Sequence, residues 1–152
     1  MMDVLVAEDE PDLLHVIELK LRLAGYHVRT ASDGATALAE ALARPPDVAL
    51  LDVVMPGLSG LQVCRSMRAG APTASVPILL VTARCGSREV ADGYAAGADD
   101  LLVKPFSPRE MVGRIEALLL RSQNSASRAR HAARATLASL AGLRRVRSHE
   151  IL

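Results

Sequence analysis

Short apolar runs alternate with longer amphipathic segments along most of the chain. Four of these runs are apolar throughout, at residues 4–7, 48–51, 78–81 and 101–103. Uninterrupted apolar runs of this length are typical of strands buried on both faces of a parallel sheet. A fifth run, 27–31, alternates polar and apolar residues and predicts an edge strand.

The segments between these runs have the length and apolar periodicity of helices. A stripe of leucines and an isoleucine over residues 13–23 ends before Gly25, and glycine commonly follows a helix C-terminus. Ser59 and Ser87 are candidate N-caps, and Pro108 suits the first position of the last helix. Five strands alternating with five helices predict an α/β fold, in which helices cover both faces of a parallel sheet.

Composition narrows the class of protein. Half of the residues are apolar, with one Phe, two Tyr and no Trp, so the predicted core is aliphatic. The apolar runs fall well short of the roughly 20 residues needed to span a membrane, and no secretion signal is recognised at the N-terminus. We therefore expect a cytoplasmic protein without membrane contacts. Cys64 and Cys85 are predicted to be free thiols.

Charge divides the chain in two. Residues 1–121 carry 12 Lys and Arg against 16 Asp and Glu, whereas residues 122–152 carry six Arg against one Glu. This predicts a domain over 1–121 and a basic, Ala- and Arg-rich tail over 122–152, joined by a Ser-rich linker at 122–127. The composition favours a disordered, solvated tail over a docking helix at 128–143. A nucleic-acid or membrane-surface contact is least favoured, since arginines without interleaved aromatics give only non-specific phosphate attraction.

Polar side chains occur where four of the predicted strands end. Glu8 and Asp9 follow the first strand and Asp52 closes the third. Thr82 closes the fourth, and Lys104 follows the fifth. Because ligands of such folds bind at the carboxyl edge of the sheet, we expect these side chains to lie together.

Three carboxylates at one edge would repel one another unless a cation joined them. Oxygen ligands with room for water and phosphate suit Mg²⁺, with Asp52 and Asp9 as direct ligands and Glu8 acting through water. A carboxylate beside Mg²⁺ can attack phosphorus and form an aspartyl phosphate. Lys104 would supply a positive charge to the phosphoryl oxygens and Thr82 a hydroxyl. Each residue alone has an ordinary structural explanation, but their coincidence at successive strand ends favours this chemistry.

Four segments resemble the receiver domain of two-component response regulators, and the resemblance covers residues 3–121. The segments are Val-Ala-Glu-Asp-Glu at 6–10, Leu-Leu-Asp-Val-Val-Met-Pro-Gly-Leu-Ser-Gly at 50–60, Val-Thr-Ala-Arg at 81–84 and Gly-Ala-Asp-Asp-Leu-Leu-Val-Lys-Pro-Phe at 97–106. The resemblance implies a flavodoxin-like doubly wound sheet with strand order 2-1-3-4-5. It also implies a phosphoprotein that receives its phosphoryl group from a histidine kinase or phosphotransfer protein.

The resemblance also implies residue roles around the acidic cluster. Asp52 would be the phosphoacceptor, and Glu8 and Asp9 would hold Mg²⁺ together with Asp52 and the backbone carbonyl of Val54. Many receivers carry a polar side chain at the position of Val54 that affects dephosphorylation, so the lifetime of the phosphorylated state is left open. Such a domain catalyses only its own phosphorylation and dephosphorylation, and we do not expect an enzyme with an external substrate.

Two further roles follow from the resemblance, and one position departs from it. Thr82 would be the switch hydroxyl, and Lys104, joined to Pro105 by a cis peptide bond, would bind the phosphoryl group. The aromatic residue that many receivers have three positions before this lysine is Leu101 here. A plain core residue is the simpler interpretation of Leu101, so coupling between Thr82 and an aromatic rotamer is not expected.

The segment after residue 97 further resembles the winged-helix class of regulators, which dimerise through the fourth helix, fifth strand and fifth helix. Asp99, Asp100, Glu110 and Arg114 would then form ion pairs across a homodimer, although exposed charges are often only solvated. The tail is too short for a winged-helix output domain.

Two alternatives differ in class. A phosphohydrolase is disfavoured because such enzymes usually carry an Asp-x-Asp motif on the first strand. The other alternative is an adaptor or nucleic-acid contact that works through the tail without phosphorylation.

Overall fold

The computed structural model describes residues 1–150, with side chains described through residue 142. Five strands and five helices alternate along the chain. The strands are β1 (Asp3–Ala7), β2 (His27–Ala31), β3 (Val48–Asp52), β4 (Ile78–Thr82) and β5 (Asp100–Val103). The helices are α1 (Pro11–Leu23), α2 (Gly34–Ala43), α3 (Gly60–Ala69), α4 (Ser87–Ala95) and α5 (Pro108–Glu150). All neighbouring strands are parallel, in the order β2-β1-β3-β4-β5, which confirms the predicted fold.

The core forms two apolar layers, one on each face of the sheet. Successive side chains of a strand point to opposite faces, so Leu5 and Ala7 of β1 enter one layer and Val4 and Val6 the other. The first layer lies under α2 and α3, and the second under α1 and the first turns of α5. Leu23, which the sequence places in the apolar stripe of α1, is 72% exposed at the end of that helix.

The two edge strands differ in how well the sequence predicts them. β2 lies at an edge and alternates buried with exposed residues, as expected. The apolar run at 101–103 predicts a strand buried on both faces, but β5 lies at the other edge. There only Leu102 is fully buried, and Val103 is 37% exposed. An apolar run does not reveal which strand is last in the sheet, because that depends on chain topology.

Local capping explains where several helices begin and end. Ser59 caps α3 in a reciprocal capping box with Gln62. Gly25, with φ 96°, follows the C-terminus of α1 in the left-handed region that favours glycine. Ser87 is the first residue of α4 rather than its cap, a position that Gly86 occupies.

The chain divides into two compact units, Met1–Leu119 and Leu120–Leu152. Helix α5 continues through residues 122–127, where the sequence predicts a linker, and through the tail, for which it favours disorder. Serines are only moderate helix formers, but the segment lacks Gly and Pro and is followed by Ala- and Arg-rich sequence that favours helix. Among the described residues, no helix combines the length and hydropathy that a membrane span requires.

Candidate functional site

The carboxyl ends of the strands bring the predicted polar residues to one edge of the sheet. Asp52 is the last residue of β3 and Thr82 the last of β4, and the register pairs Asp52 with Val81. Glu8 comes directly after β1, and Lys104 directly after β5. Because all five strands are parallel, these four residues share the same edge.

Three carboxylates meet at this edge. Glu8, Asp9 and Asp52 each offer an oxygen atom, and these atoms lie within 4.8 Å of one another. Glu8 is 1% exposed and Asp52 3% exposed, while Asp9 is exposed to solvent. The structure thus brings together the acidic trio that the sequence predicts.

Lys104 contacts both buried carboxylates. Its Nζ donates to Asp52 Oδ2 at 2.6 Å and to Glu8 Oε1 at 3.2 Å. The Lys104–Pro105 peptide bond is cis, as the resemblance implies. Burial alone would lower the pKa of Lys104, but its hydrogen bonds and charge interactions with Asp52 and Glu8 outweigh burial and raise that pKa.

One ammonium does not compensate for two buried carboxylates. Burial and the neighbouring Asp52 raise the pKa of Glu8 to about 8, and Lys104 offsets only part of this effect. The raised pKa of Glu8 reflects a shortage of positive charge around the two buried carboxylates. A hard divalent cation such as Mg²⁺ prefers clustered carboxylate oxygens as ligands. Here the negative charge of these oxygens is not fully balanced by nearby cations. The residues present therefore fit the predicted metal.

Both oxygens of Asp52 are engaged. Oδ1 accepts a hydrogen bond of 3.1 Å from the backbone N–H of Val54, and Oδ2 accepts the one from Lys104. The Asp52 side chain is only 5% exposed. A group that bonded to Oδ2 would have to enter between this oxygen and the Lys104 ammonium, so the lysine would then donate to the new group instead.

The Thr82 hydroxyl is turned towards its own loop. Its Oγ1 donates to the backbone carbonyl of Arg84 at 3.0 Å and accepts from the N–H of the same residue at 3.1 Å. The backbone of Thr82 reaches the site, since its carbonyl accepts from Lys104 N at 2.8 Å. The structure places Thr82 at the predicted edge, with a side chain that would have to rotate to contact a group on Asp52.

Leu101 is partly buried against the core, as expected for a plain core residue. It packs on α4 at Gly93, where a Cβ added to the glycine would lie 2.9 Å from Leu101 Cδ2. A cavity of about 60 Å³ remains beside it, and Thr82 also lines this cavity. The leucine therefore leaves space next to the threonine.

The predicted dimer-face residues are paired within the chain. Arg114 donates to both carboxylate oxygens of Asp100, at 3.0 and 2.9 Å, and to Glu110 at 3.2 Å. Asp99 accepts from Arg68 of α3 at 2.8 Å. Cross-subunit pairs would therefore have to replace or extend these intrachain pairs.

Gly60 positions the acceptor strand, a role that the sequence pattern did not reveal. A Cβ at Gly60 would overlap the backbone carbonyl oxygen of Asp52, so only glycine lets α3 start this close to the end of β3. The available signal was a glycine directly after the N-cap Ser59, a position where glycine brings no helical advantage.

Comparison with known proteins identifies the family. The family model of the response regulator receiver domain matches residues 4–116. The chain belongs to this family. It is thus a receiver domain of two-component response regulators, as its sequence motifs imply.

Two sequence relatives support the same family assignment. The receiver domain is 43% identical over 119 residues to the probable transcriptional regulatory protein TcrX of Mycobacterium tuberculosis, covering 78% of this chain and 50% of that protein. It is 38% identical over 121 residues to the DNA-binding response regulator MtrA of Mycolicibacterium smegmatis, covering 80% and 52%. The chain therefore spans about half the length of the curated relatives it matches.

Two solved structures show the same fold. A putative response regulator from Chloroflexus aurantiacus has a TM-score of 0.75 at 37% identity, covering 78% of this chain and 98% of that one. Chemotaxis response regulator CheY4 of Vibrio cholerae has a TM-score of 0.75 at 33% identity, with the same coverage. The receiver domain thus matches nearly the whole of each structure.

Proposed function

We propose that Asp52 accepts a phosphoryl group from a histidine kinase or phosphotransfer protein, and that the receiver domain relays the resulting change in the cytoplasm. One observation carries this proposal: a buried aspartate at a strand end lies 2.6 Å from a lysine ammonium and within 4.8 Å of two more carboxylates. Family membership supports the same role.

The transfer needs a nucleophile, and Asp52 supplies it. One carboxylate oxygen of Asp52 forms a bond to phosphorus while the bond between phosphorus and the donor breaks. The leaving atom keeps the electron pair of that bond and takes up a proton; in a phosphohistidine donor this atom is an imidazole nitrogen. The product is an aspartyl phosphate, formed once per chain.

During transfer the Lys104 ammonium would exchange one hydrogen-bond acceptor for another. Before transfer its ammonium donates to Asp52 Oδ2. Afterwards a phosphoryl oxygen would occupy that neighbourhood, and the same ammonium would donate to it. Since Lys104 is already held between Asp52 and Glu8, little reorganisation is required.

The acidic cluster would hold Mg²⁺. Glu8, Asp9, Asp52 and the backbone carbonyl of Val54 are the proposed ligands, and the shortage of positive charge around Glu8 supports this assignment. When bound, the ion would offset negative charge on the phosphoryl oxygens.

The conformational change that follows phosphorylation would begin at Thr82. Its hydroxyl would leave the Arg84 carbonyl and donate to a phosphoryl oxygen, and the loop between β4 and α4 would move with it. The neighbouring face of α4, β5 and α5 would change in turn, and we propose it as a homodimer surface. Asp99, Asp100, Glu110 and Arg114 are the charged residues that would serve such a surface.

The test is phosphorylation in vitro. The chain is incubated with Mg²⁺ and acetyl phosphate, and intact mass is measured over time. We expect a single added phosphoryl group per chain, absent in Asp52→Asn and retained in Asp12→Asn, which removes an exposed carboxylate from α1. An unchanged gain of mass in Asp52→Asn would overturn the assignment, and continuous release of phosphate by Asp52→Asn would indicate a phosphohydrolase instead.

A further inference from the structure

The second unit is strongly basic. Residues 120–150, here called the basic helix, form the C-terminal part of α5. They contain seven arginines and two histidines, and Glu150 is the one acidic residue among them. From residue 117 to residue 149 the sequence has no Asp or Glu.

Three arginines of the basic helix, Arg128, Arg130 and Arg134, are available for an external partner. Every residue from 123 to 142 is exposed to solvent. Among the ion pairs of residues 1–142, none involves Arg128, Arg130 or Arg134. Their charges are therefore not neutralised by carboxylates of the described chain.

We propose that the basic helix binds the phosphate backbone of double-stranded DNA without base-sequence specificity. This goes beyond phosphoryl transfer and does not depend on it. A helix with its side chains is about 10–12 Å across, which matches the roughly 12 Å width of the major groove. Phosphates flank that groove on both sides, so a helix lying in it meets negative charge in several directions.

The composition of the basic helix favours a duplex over a membrane surface. At about 100° per residue, Arg128 lies about 160° from Arg130 and about 120° from Arg134 around the helix axis. The exposed Leu137 lies on the same side as Arg130. The exposed Leu140 lies about 120° from both Arg128 and Arg134, on a side that carries alanines but none of these three arginines. Helices that lie in a membrane interface carry Trp, Phe or several Leu on the apolar side, whereas residues 123–142 contain only two leucines and no aromatic residue, so attraction of the arginines to phosphate should dominate.

The rest of the chain cannot supply this attraction. Residues 1–119 carry 11 Lys and Arg against 16 Asp and Glu, a net charge of −5 with His neutral. A polyanion repels a unit of this charge. Binding should therefore depend on the basic helix and on salt.

The test measures DNA affinity at several salt concentrations. Full-length chain is titrated into a fluorescently labelled duplex of arbitrary sequence, and anisotropy is followed in a NaCl series. Each neutralised phosphate contributes about 0.9 to the slope of log K against log salt. The triple variant Arg128→Gln, Arg130→Gln, Arg134→Gln should lower that slope by about 2 to 3 and weaken binding at low salt by about tenfold or more.

The matched control removes the same charge elsewhere. Arg65→Gln, Arg88→Gln and Arg109→Gln together change three exposed arginines of the first unit. This triple variant should keep the wild-type slope within about one. The helix content of both triple variants, measured by circular dichroism, should equal that of the wild type, since glutamine is a good helix former.

Several outcomes would overturn the proposal. These are absence of binding at low salt, equal loss in both triple variants, and binding to phosphatidylcholine–phosphatidylserine vesicles in preference to the duplex. Two duplexes of unrelated sequence should bind equally, and a strong preference would contradict backbone recognition. Asp52→Asn should bind DNA like the wild type, so failure here is distinguishable from failure of the phosphoryl-acceptor assignment.

Discussion

The two ends of the sheet pair their carboxylates with cations in opposite ways. At the amino end, Asp3 accepts from Arg29 at 2.6 Å and from His27 at 2.9 Å, and Asp99 accepts from Arg68 at 2.8 Å. At the carboxyl end, two buried carboxylates and one exposed carboxylate share a single lysine contact among the described residues. Asp3 and Asp99 at the amino end each have a cationic partner, whereas at the carboxyl end the carboxylates outnumber the cations.

This difference separates structural charge from functional charge. A charge with a full set of hydrogen-bond partners holds neighbouring elements together, and its loss should destabilise the fold. A buried charge short of partners costs stability and is retained where it binds or reacts. The carboxyl end should therefore respond to ligands, and the amino end should respond mainly to loss of its own partners.

Arg68 should give the largest effect, because it ties three chain segments together. Its guanidinium donates to the carbonyls of Gly97 at 2.9 Å, Val76 at 2.6 Å and Ala74 at 3.2 Å, besides its pair with Asp99. Arg68→Ala should lower the free energy of unfolding by about 3 kcal/mol, measured by urea denaturation.

The control lies on the same helix. Arg65→Ala removes an exposed arginine of α3 and should change the free energy of unfolding by less than about 0.5 kcal/mol. Equal losses in the two variants would mean that the matched charges at the amino end do not stabilise the fold.

Asp3 should give the next largest effect, with a pH dependence. Burial alone would raise the pKa of Asp3, but hydrogen bonds from Arg29 and His27 and the charges of Arg29 and Arg44 outweigh it and lower that pKa. A carboxyl with a lowered pKa stabilises the fold above its unfolded pKa, and this contribution is lost as the pH falls through the folded value. Asp3→Asn should cost about 2 kcal/mol at pH 7.

The stability gap between wild type and Asp3→Asn should stay constant down to about pH 5 and shrink as the pH falls below about 4. Urea denaturation of both proteins over this range measures the gap. A gap that widened towards acid pH would contradict the sign of the shift.

These predictions rest on two kinds of information, one visible in the sequence and one not. Glu8, Asp52 and Lys104 could be placed together from sequence, because apolar runs locate strand ends and parallel strands share one carboxyl edge. The pairing of Arg68 with Asp99 could not, since 31 positions separate them and no local pattern marks which arginine folds back on which carboxylate.

Two other differences between the predicted and the observed structure also arise from tertiary context. The run at 101–103 has the composition of a central strand, yet the chain topology leaves β5 at an edge. The serines at 122–127 suggest a linker, yet helix-forming sequence on both sides continues α5 through them. Periodicity and composition report local preference, whereas position in the sheet and helix continuity depend on neighbours.

Stabilisation by Mg²⁺ should depend on the carboxyl end of the sheet and not on the amino end. If the carboxyl end binds Mg²⁺, a concentration ten times Kd stabilises the wild type by about 1.4 kcal/mol. Asp52→Asn removes a proposed ligand and should lose most of this gain, whereas Asp3→Asn makes the same change at the other end and should keep it. Thermal unfolding with Mg²⁺ and with EDTA measures each gain, and an equal gain in both variants would place the ion elsewhere.

The smallest effect is expected at the exposed ion pair between Arg114 and Glu110 of α5. Arg114 and Glu110 are four residues apart on α5, with 38% and 46% of their side chains exposed, so water screens their attraction. A double-mutant cycle with Arg114→Gln and Glu110→Gln should give a coupling of about 0.3–0.5 kcal/mol at low salt and less at high salt. A coupling above about 1 kcal/mol that rose with protein concentration would instead show that the pair is already buried between two copies of the unphosphorylated chain.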